Sequence, residues 1–405
     1  MAGKQMTPSD VVEARSDTPG TRSVIHFNNA GAALMPQPVL DTVGEYTELE
    51  AYKGGYEAAA AAKNKIDAVY QSIAGMLSCS PDEIASVENA TRGWDYIFYS
   101  LPFSAGDVVI TSETEYGSNV TSFLQMKRSR GVLVEVIPND PSTGVLDVSS
   151  LSNAVATLGK QAKLVAISHI PTNNGVVHPA EKIGSICREY DIPFLLDACQ
   201  SVGQLPVDLG QIHCDALTAT SRKYLRGPRG QGFLYVNKQG HFWDLEPMYL
   251  DVRSARNDES SPSGYQVLPG AIRYENFERS YANWLGMGTA VDYACKWGLD
   301  VIERRICFLA ETLRRRLEDE VKGTTVTDYG DRKCGIVSFT IEGVEGADVK
   351  AALAKEKINV SCSKASSTPF DMRKRKLSSV VRASVHYYNS EDEITLLIEA
   401  LKRLR

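Results

Sequence analysis

The chain has 405 residues, 43% hydrophobic and 23% charged, the mix of an ordinary globular protein, which argues against disorder and collagen-like repeats. With 44 Lys+Arg against 50 Asp+Glu, the formal net charge of −6 lacks the basic excess that nucleic-acid binding normally shows. At roughly 100–200 residues per domain, the length suggests two or three domains. No stretch approaches the ~20 uninterrupted apolar residues needed to cross a bilayer. The polar segment Met1 to Thr21 lacks the apolar heart of a secretory signal. The cysteines are scattered and none forms a Cys-x-x-Cys pair, so the expectation is no metal site and reduced thiols in the cytoplasm.

Early in the chain, the alanine tract Ala58 to Ala62 suits a helix. From about residue 80 to 240, short apolar β-rich runs alternate with helical patterns. The runs cover 107–111, 132–137, 164–168, 192–197 and 216–220, and the helix candidates lie around 91–101, 117–130, 148–158 and 179–190. Such alternation predicts a mainly parallel sheet with helices on both faces, an α/β fold. The run Gln231 to Val236 follows without room for a crossover helix, so it is expected to be an antiparallel neighbour. Residues 240–285 read as irregular, and helices are predicted around 282–298 and 301–321. The end of the chain reads strand, helix, strand, helix over 335–341, 347–356, 380–385 and 391–405, a separate α+β module. The expected division is an N-terminal segment 1–30 packing on the small domain, a large domain 31–280 and a small domain 281–405.

Five polar segments sit at the ends of these elements, each with an ordinary structural reading beside a chemical one. Val87-Glu-Asn-Ala-Thr-Arg-Gly93 precedes a helix, where free backbone N–H groups can hold a phosphate, though a plain N-cap would look the same. Ser168-His-Ile-Pro-Thr-Asn-Asn-Gly175 is a second polar loop or a simple turn. In Leu195-Leu-Asp-Ala-Cys-Gln200, an aspartate ends a buried strand, at the rim where open α/β sheets bind ligands, or else caps a turn. In Thr218-Ala-Thr-Ser-Arg-Lys-Tyr-Leu-Arg-Gly-Pro-Arg-Gly230, Lys223 stands at a strand exit. Burial and the cations Arg222 and Arg226 could lower its pKa and make it a nucleophile; a solvated basic loop is the alternative. In Val381-Arg-Ala-Ser-Val-His-Tyr-Tyr-Asn389, Arg382 could grip a carboxylate with its planar fork or form a structural ion pair.

The order and spacing of these segments resemble class V aminotransferase-like, pyridoxal-phosphate enzymes of fold type I. That group includes cysteine desulfurases, isopenicillin-N-epimerase-like proteins and C–S lyases. The resemblance runs from His26-Phe-Asn-Asn-Ala-Gly31 to the C-terminus. It implies a homodimer with active sites near the subunit interface and a small amino-acid substrate. It implies that Lys223 forms the internal aldimine, that Asp197 pairs with the pyridinium, and that Gln200 donates to the ring phenolate. Ala90, Thr91 and Arg92 fall where the family cradles the phosphate, with Thr172 and Ser221 also among the cofactor-binding positions. Tyr116, in Thr114-Glu-Tyr-Gly-Ser-Asn119, falls where an aromatic ring stacks on the cofactor. Asn29, Ala30 and Arg382 fall at substrate-binding positions. Ser280, in the segment Arg273 to Ser280, resembles the part that reaches a neighbouring subunit's phosphate.

The departures from the family pattern are informative. Desulfurases carry a mobile cysteine in the loop before the late arginine, here Val360 to Phe370. By spacing, that position falls near Ser366, and a serine cannot carry a persulfide. Cys362 lies earlier and would substitute only in a shifted loop. Thr172 stands where desulfurases place an asparagine. The run Arg222 to Gly230 looks closer to epimerase-like proteins and to hercynylcysteine sulfoxide lyases. The expectation is therefore a lyase performing β-elimination at a C–S bond. Aminotransferase or epimerase chemistry, a desulfurase using Cys362, and a non-catalytic cofactor-binding protein are the alternatives.

Overall fold

The computed structural model describes residues 5–404 apart from 259 and 262. The apolar runs of the middle region become neighbours in one seven-stranded sheet. In chain order its strands are β1 (Ile84–Val87), β2 (Val108–Ser112), β3 (Leu133–Ile137), β4 (Ala162–Ser168), β5 (Phe194–Asp197), β6 (Ala216–Thr220) and β7 (Gly232–Val236). Across the sheet the order is β1-β7-β6-β5-β4-β2-β3. Strands β2 to β6 pair in parallel. β7 runs antiparallel to both β6 and β1, as its short connection requires.

Among the described residues, ten helices reach ten residues or more: α1 (Gln37–Lys53), α2 (Lys63–Leu77), α3 (Ala90–Ser100), α4 (Gly117–Arg130), α5 (Val148–Leu158), α6 (Ala180–Glu189), α7 (Tyr281–Trp297), α8 (Leu299–Glu320), α9 (Gly346–Lys355) and α10 (Glu391–Lys402). Successive strand residues face opposite ways, so each strand feeds two cores. Val109, Leu164, Leu195 and Ala216 meet Trp94 and Phe98 of α3 and Phe123 of α4. Ile110, Val165, Leu196 and Leu217 join the core that holds Leu151 of α5 and Ile183 of α6. Each large side chain so withdrawn from water contributes about 1.5–3 kcal/mol.

A second, antiparallel sheet lies near the C-terminus. Its strands are β8 (Thr324–Val326), β9 (Ile336–Ile341), β10 (Ser361–Lys364) and β11 (Ser379–Ser384), in the order β8-β9-β11-β10. The segment Ile25–His26 pairs in parallel with Ile358–Asn359, and Asn28 bridges to Ser384. Among the described residues, no helix is long and apolar enough to cross a membrane.

Three stretches differ from the sequence reading. The first 80 residues hold the helices Pro8–Ser16, α1, Gly55–Ala61 and α2, well beyond the alanine tract. The irregular stretch 240–285 contains an antiparallel pair, Ala255–Asn257 with Tyr265–Val267. The segment read as a loop from Val360 begins with strand β10, because backbone pairing to β11 orders Ser-Cys-Ser-Lys without any apolar alternation to announce it.

Candidate active site

Parallel strands end at one edge, and there residues distant in sequence meet. The register sets Ser168 at the end of β4 beside Asp197 at the end of β5, and Asp197 beside Thr218 on β6. A cavity opens at this edge. Its wall includes Ala90, Thr91, Tyr116, Thr172, Asp197, Gln200 and Lys223, seven of the residues expected from sequence.

Asp197 is anchored on both oxygens. Its Oδ1 accepts the Cys199 N–H at 2.9 Å, and its Oδ2 accepts from Asn119 Nδ2 at 3.3 Å. Past β6 the chain turns tightly. Ser221 N–H reaches Gln231 O at 3.1 Å, Arg226 N–H reaches Lys223 O at 3.0 Å, and Gly227 N–H reaches Ser221 O at 2.8 Å. This turn carries Lys223 to the cavity wall. Burial pulls the Lys223 ammonium below the usual lysine range; Cys199 and Asp197 oppose the shift, and the Arg222 and Arg382 guanidiniums add to it.

Arg226, expected to act on the lysine, is used elsewhere. It has a left-handed backbone (φ 63°) and a buried guanidinium. That group donates to Leu34 O at 2.9 Å and Tyr387 Oη at 2.6 Å, and lies 4.5 Å from the centre of the Tyr388 ring. It ties the N-terminal segment to the C-terminal one.

At the phosphate side, α3 begins at the cavity. Its N-cap Asn89 accepts the Arg92 N–H at 2.9 Å. Ala90 and Thr91 are first-turn residues, whose N–H groups have no intrahelical acceptor and suit an anion. Gly232 allows this approach: a Cβ there would stand 2.6 Å from Ala219 O and 3.1 Å from Ala90 N. Two expected phosphate residues are placed differently. The Arg92 side chain is exposed and off the cavity wall, and Ser221 turns inward to donate to Pro228 O.

Thr172 and Gln200 of the wall belong to one hydrogen-bonded patch that reaches back to Arg382. Arg382 Nη1 donates to Thr172 O at 2.9 Å and Thr172 Oγ1 at 2.7 Å, and Nη2 reaches Asn28 Oδ1 at 3.4 Å. Gln200 Nε2 donates to Ala30 O at 3.1 Å and lies 3.5 Å from Thr172 Oγ1. No carboxylate pairs with Arg382 among the described residues, and burial lowers its guanidinium to about 10. Asn29 is not part of this patch. Its amide donates to Ser384 O at 2.7 Å and His26 O at 3.2 Å, and Tyr388 donates to its Oδ1, so its side chain holds the fold together. Ser280 caps α7, accepting from Asn283 N–H at 3.2 Å, outside this cavity wall.

The segment after β10 packs on residues next to the cavity wall. Ser366 O sits so close to Gly117 that a Cβ there would stand 2.1 Å away. Asn173 Nδ2 donates to Thr368 Oγ1 at 3.2 Å, and Lys374 pairs with Glu113 at 2.6 Å. In the β10–β11 pairing, Ser361 lies opposite Arg382 and Cys362 opposite Val381. Directly opposed residues share a face. Cys362 therefore faces away from Arg382, toward α9, where a Cβ on Gly346 would lie 3.1 Å from its Sγ.

Sequence reasoning missed Trp94, Asn119, Ser168, Ile170 and Cys199 on the cavity wall, and Asn28 beside Arg382. Asn119 and Ser168 carried a signal, since both stand in polar segments at element ends; Trp94 and Ile170 carried none.

Pyridoxal phosphate fits this set of groups. Gln200 Oε1, Thr218 Oγ1 and Arg382 Nε are buried at this edge without a partner among the described residues. The start of α3 would hold the phosphate, Asp197 the ring nitrogen and Lys223 the aldehyde carbon.

Comparison with known proteins agrees. The family model Aminotransferase class-V matches residues 25–397. A probable cysteine desulfurase of Pyrococcus abyssi is 29% identical over 98% of this chain and 97% of its own length. The apo structure of a cysteine desulfurase from Thermococcus onnurineus superposes with a TM-score of 0.88 at 28% identity, covering 100% of this chain and 99% of the other. The cystine C–S lyase C-DES, solved with its product cysteine persulfide, shares the fold with a TM-score of 0.83 at 24% identity over 95% of this chain and 99% of its own. With the match spanning nearly the whole chain, the lysine and aspartate on one cavity wall and the arginine bonded to Thr172 of that wall, the chain belongs to the class-V aminotransferase family and is a pyridoxal-phosphate-dependent enzyme.

Proposed function

We propose that this enzyme cleaves the C–S bond of an amino acid or cysteine conjugate by β-elimination, without storing sulfur on its own cysteines. The observation that carries the reading is the orientation of Cys362, on the face of its sheet opposite to Arg382, with Ser366 in the segment packed on Gly117, next to Tyr116 of the cavity wall. Cys199 does line the cavity, but burial and Asp197 push its thiol up, away from the thiolate that sulfur transfer uses.

Bound pyridoxal phosphate supplies an electron sink for the bond broken at the substrate's α-carbon. The chain's residues do the rest. Arg382, buried and without a carboxylate, receives the substrate's α-carboxylate and orients the α-hydrogen. The Lys223 amine, its ammonium destabilised by burial, takes that α-proton and can return it to the departing sulfur. Asp197 holds the proton of the ring nitrogen. The reading includes a cytoplasmic homodimer in which Ser280 serves the neighbouring subunit's site. The eight unpaired thiols suit a reducing compartment.

Arg382→Lys should fold and keep the cofactor's visible band, because no ion pair of the fold is lost. Its apparent affinity for substrate should fall by about 1.5–3 kcal/mol, the worth of a charged hydrogen bond. A spectral titration beside a melting curve checks this. Lost thermal stability with an unchanged titration would assign Arg382 to the fold instead.

A second reading, cysteine desulfurase, is favoured by the name of the Pyrococcus relative. It requires a persulfide on the enzyme. Cys362→Ser should turn over as the parent does, and alkylation during turnover followed by mass spectrometry should find no persulfide on Cys362. A trapped persulfide there, with activity lost in the variant, would establish the desulfurase.

A further inference from the structure

Asp197 is not held by backbone alone. One of its oxygens depends on Asn119, and Asn119 depends on a second carboxylate, Glu115, that faces no solvent at all. Glu115 ends the turn after β2 and stands one helical turn before Asn119 of α4. Its Oε1 accepts from Ser168 Oγ at 2.6 Å, Asn119 Nδ2 at 2.8 Å and Tyr116 N–H at 2.9 Å. Its Oε2 accepts from Ser168 N–H at 2.8 Å and Thr111 Oγ1 at 3.1 Å. Five donors converge on it, and no cation pairs with it among the described residues. An amide in its place would set an N–H₂ against those donors, so the pocket is built for a carboxylate.

The two hydrogens of Asn119 Nδ2 are divided between Glu115 Oε1 and Asp197 Oδ2. Glu115 thereby fixes which way the Asn119 amide faces, and the amide fixes the rotation of the Asp197 carboxylate against the cavity. We infer that Glu115 is a positioning residue that acts through Asn119 to hold Asp197 in line with the ring nitrogen of the cofactor. The inference rests on the proposed role of Asp197. The arrangement has a cost. Burial pushes the Glu115 carboxyl up to about 6 and Asp197 adds to the rise, while Ser168, Asn119 and the Tyr116 N–H oppose it. A buried acid kept beside another acid is expensive as a mere tie between β4 and the turn after β2, which neutral groups could make.

The test compares Glu115→Gln, Asn119→Ala and the double variant as holoenzymes carrying ¹⁵N-labelled cofactor. The ring-nitrogen chemical shift is read by NMR, with kcat, KM and melting temperature beside it. Glu115→Gln should move the nitrogen signal and lower kcat by about tenfold, the low end for losing a partner that orients a reacting group, with KM nearly unchanged. In the Asn119→Ala background the same substitution should change neither. A lowered melting temperature with an unmoved nitrogen signal, or equal effects in both backgrounds, would overturn the inference. If Glu115→Gln does not fold, Asn119→Ala alone decides: an unmoved nitrogen signal overturns the coupling. Asp197→Asn is the control. If it leaves the signal unmoved, the Asp197 role itself fails and the inference with it; if it moves the signal and Glu115→Gln does not, only the inference fails.

Discussion

Lys223→Ala is expected to fold, and to lack the covalent cofactor adduct that borohydride fixes in the parent protein. The substitution removes the amine on the cavity wall and leaves the turn that carries it, which is held by backbone bonds of Ser221, Arg226 and Gly227. Turnover should fall by about 10²–10⁴-fold, the usual contribution of a positioned proton-transfer group. The cofactor can still dock through α3 and Asp197, so a weakened visible spectrum should return when it is supplied in excess. Mass spectrometry of the reduced parent should place the adduct on Lys223. An adduct on any other lysine would remove Lys223 from the centre of the site.

Asp197→Asn should keep appreciable cofactor and lose most turnover. The variant can still accept the Cys199 N–H, so the end of β5 stays in place. Its new N–H₂ would oppose the Asn119 Nδ2 hydrogen and would donate to an unprotonated ring nitrogen, leaving the ring without its charge. At a loss of about 1.5–3 kcal/mol for a charged hydrogen bond, the rate should drop roughly 10- to 150-fold, with the visible band displaced. Near-normal turnover would contradict the role given to Asp197.

The central sheet was legible because its strands are continuous apolar runs, which two covered faces demand, and because Asp197 and Lys223 stand where such runs stop. What escaped depended on long-range contacts. Arg226 reads as a cation near the lysine, yet its guanidinium is taken by Leu34 and Tyr387, 192 and 161 residues away. Arg92 and Ser221 stand at the expected positions in sequence, but helix phase turns one to solvent and the tight turn takes the other inward. Asn29 went to the fold and its neighbour Asn28 to Arg382, a distinction of one residue in an extended segment that only the pairing with Ser384 decides. The direction of Cys362 was equally hidden, since a strand of Ser-Cys-Ser-Lys shows its facing only once its partner is known. Glu115 was inside a quoted motif, and an acid straight after a buried strand was the signal that could have marked it.

Sulfur is expected to leave the substrate as a thiol or persulfide and not to pass to a cysteine of the enzyme. The measurement that tests it most directly is product analysis after turnover of cysteine, cystine and cysteine conjugates, scoring pyruvate, ammonia and alanine together. β-Elimination breaks the Cα–H and Cβ–S bonds, and the unsaturated amine that remains hydrolyses to pyruvate and ammonia. A desulfurase returns a proton to the carbon skeleton and releases alanine, with sulfur left on a cysteine. Pyruvate and ammonia in equal amounts, with little alanine, are the predicted result. Alanine as the main carbon product, matched by persulfide on the protein, would contradict it.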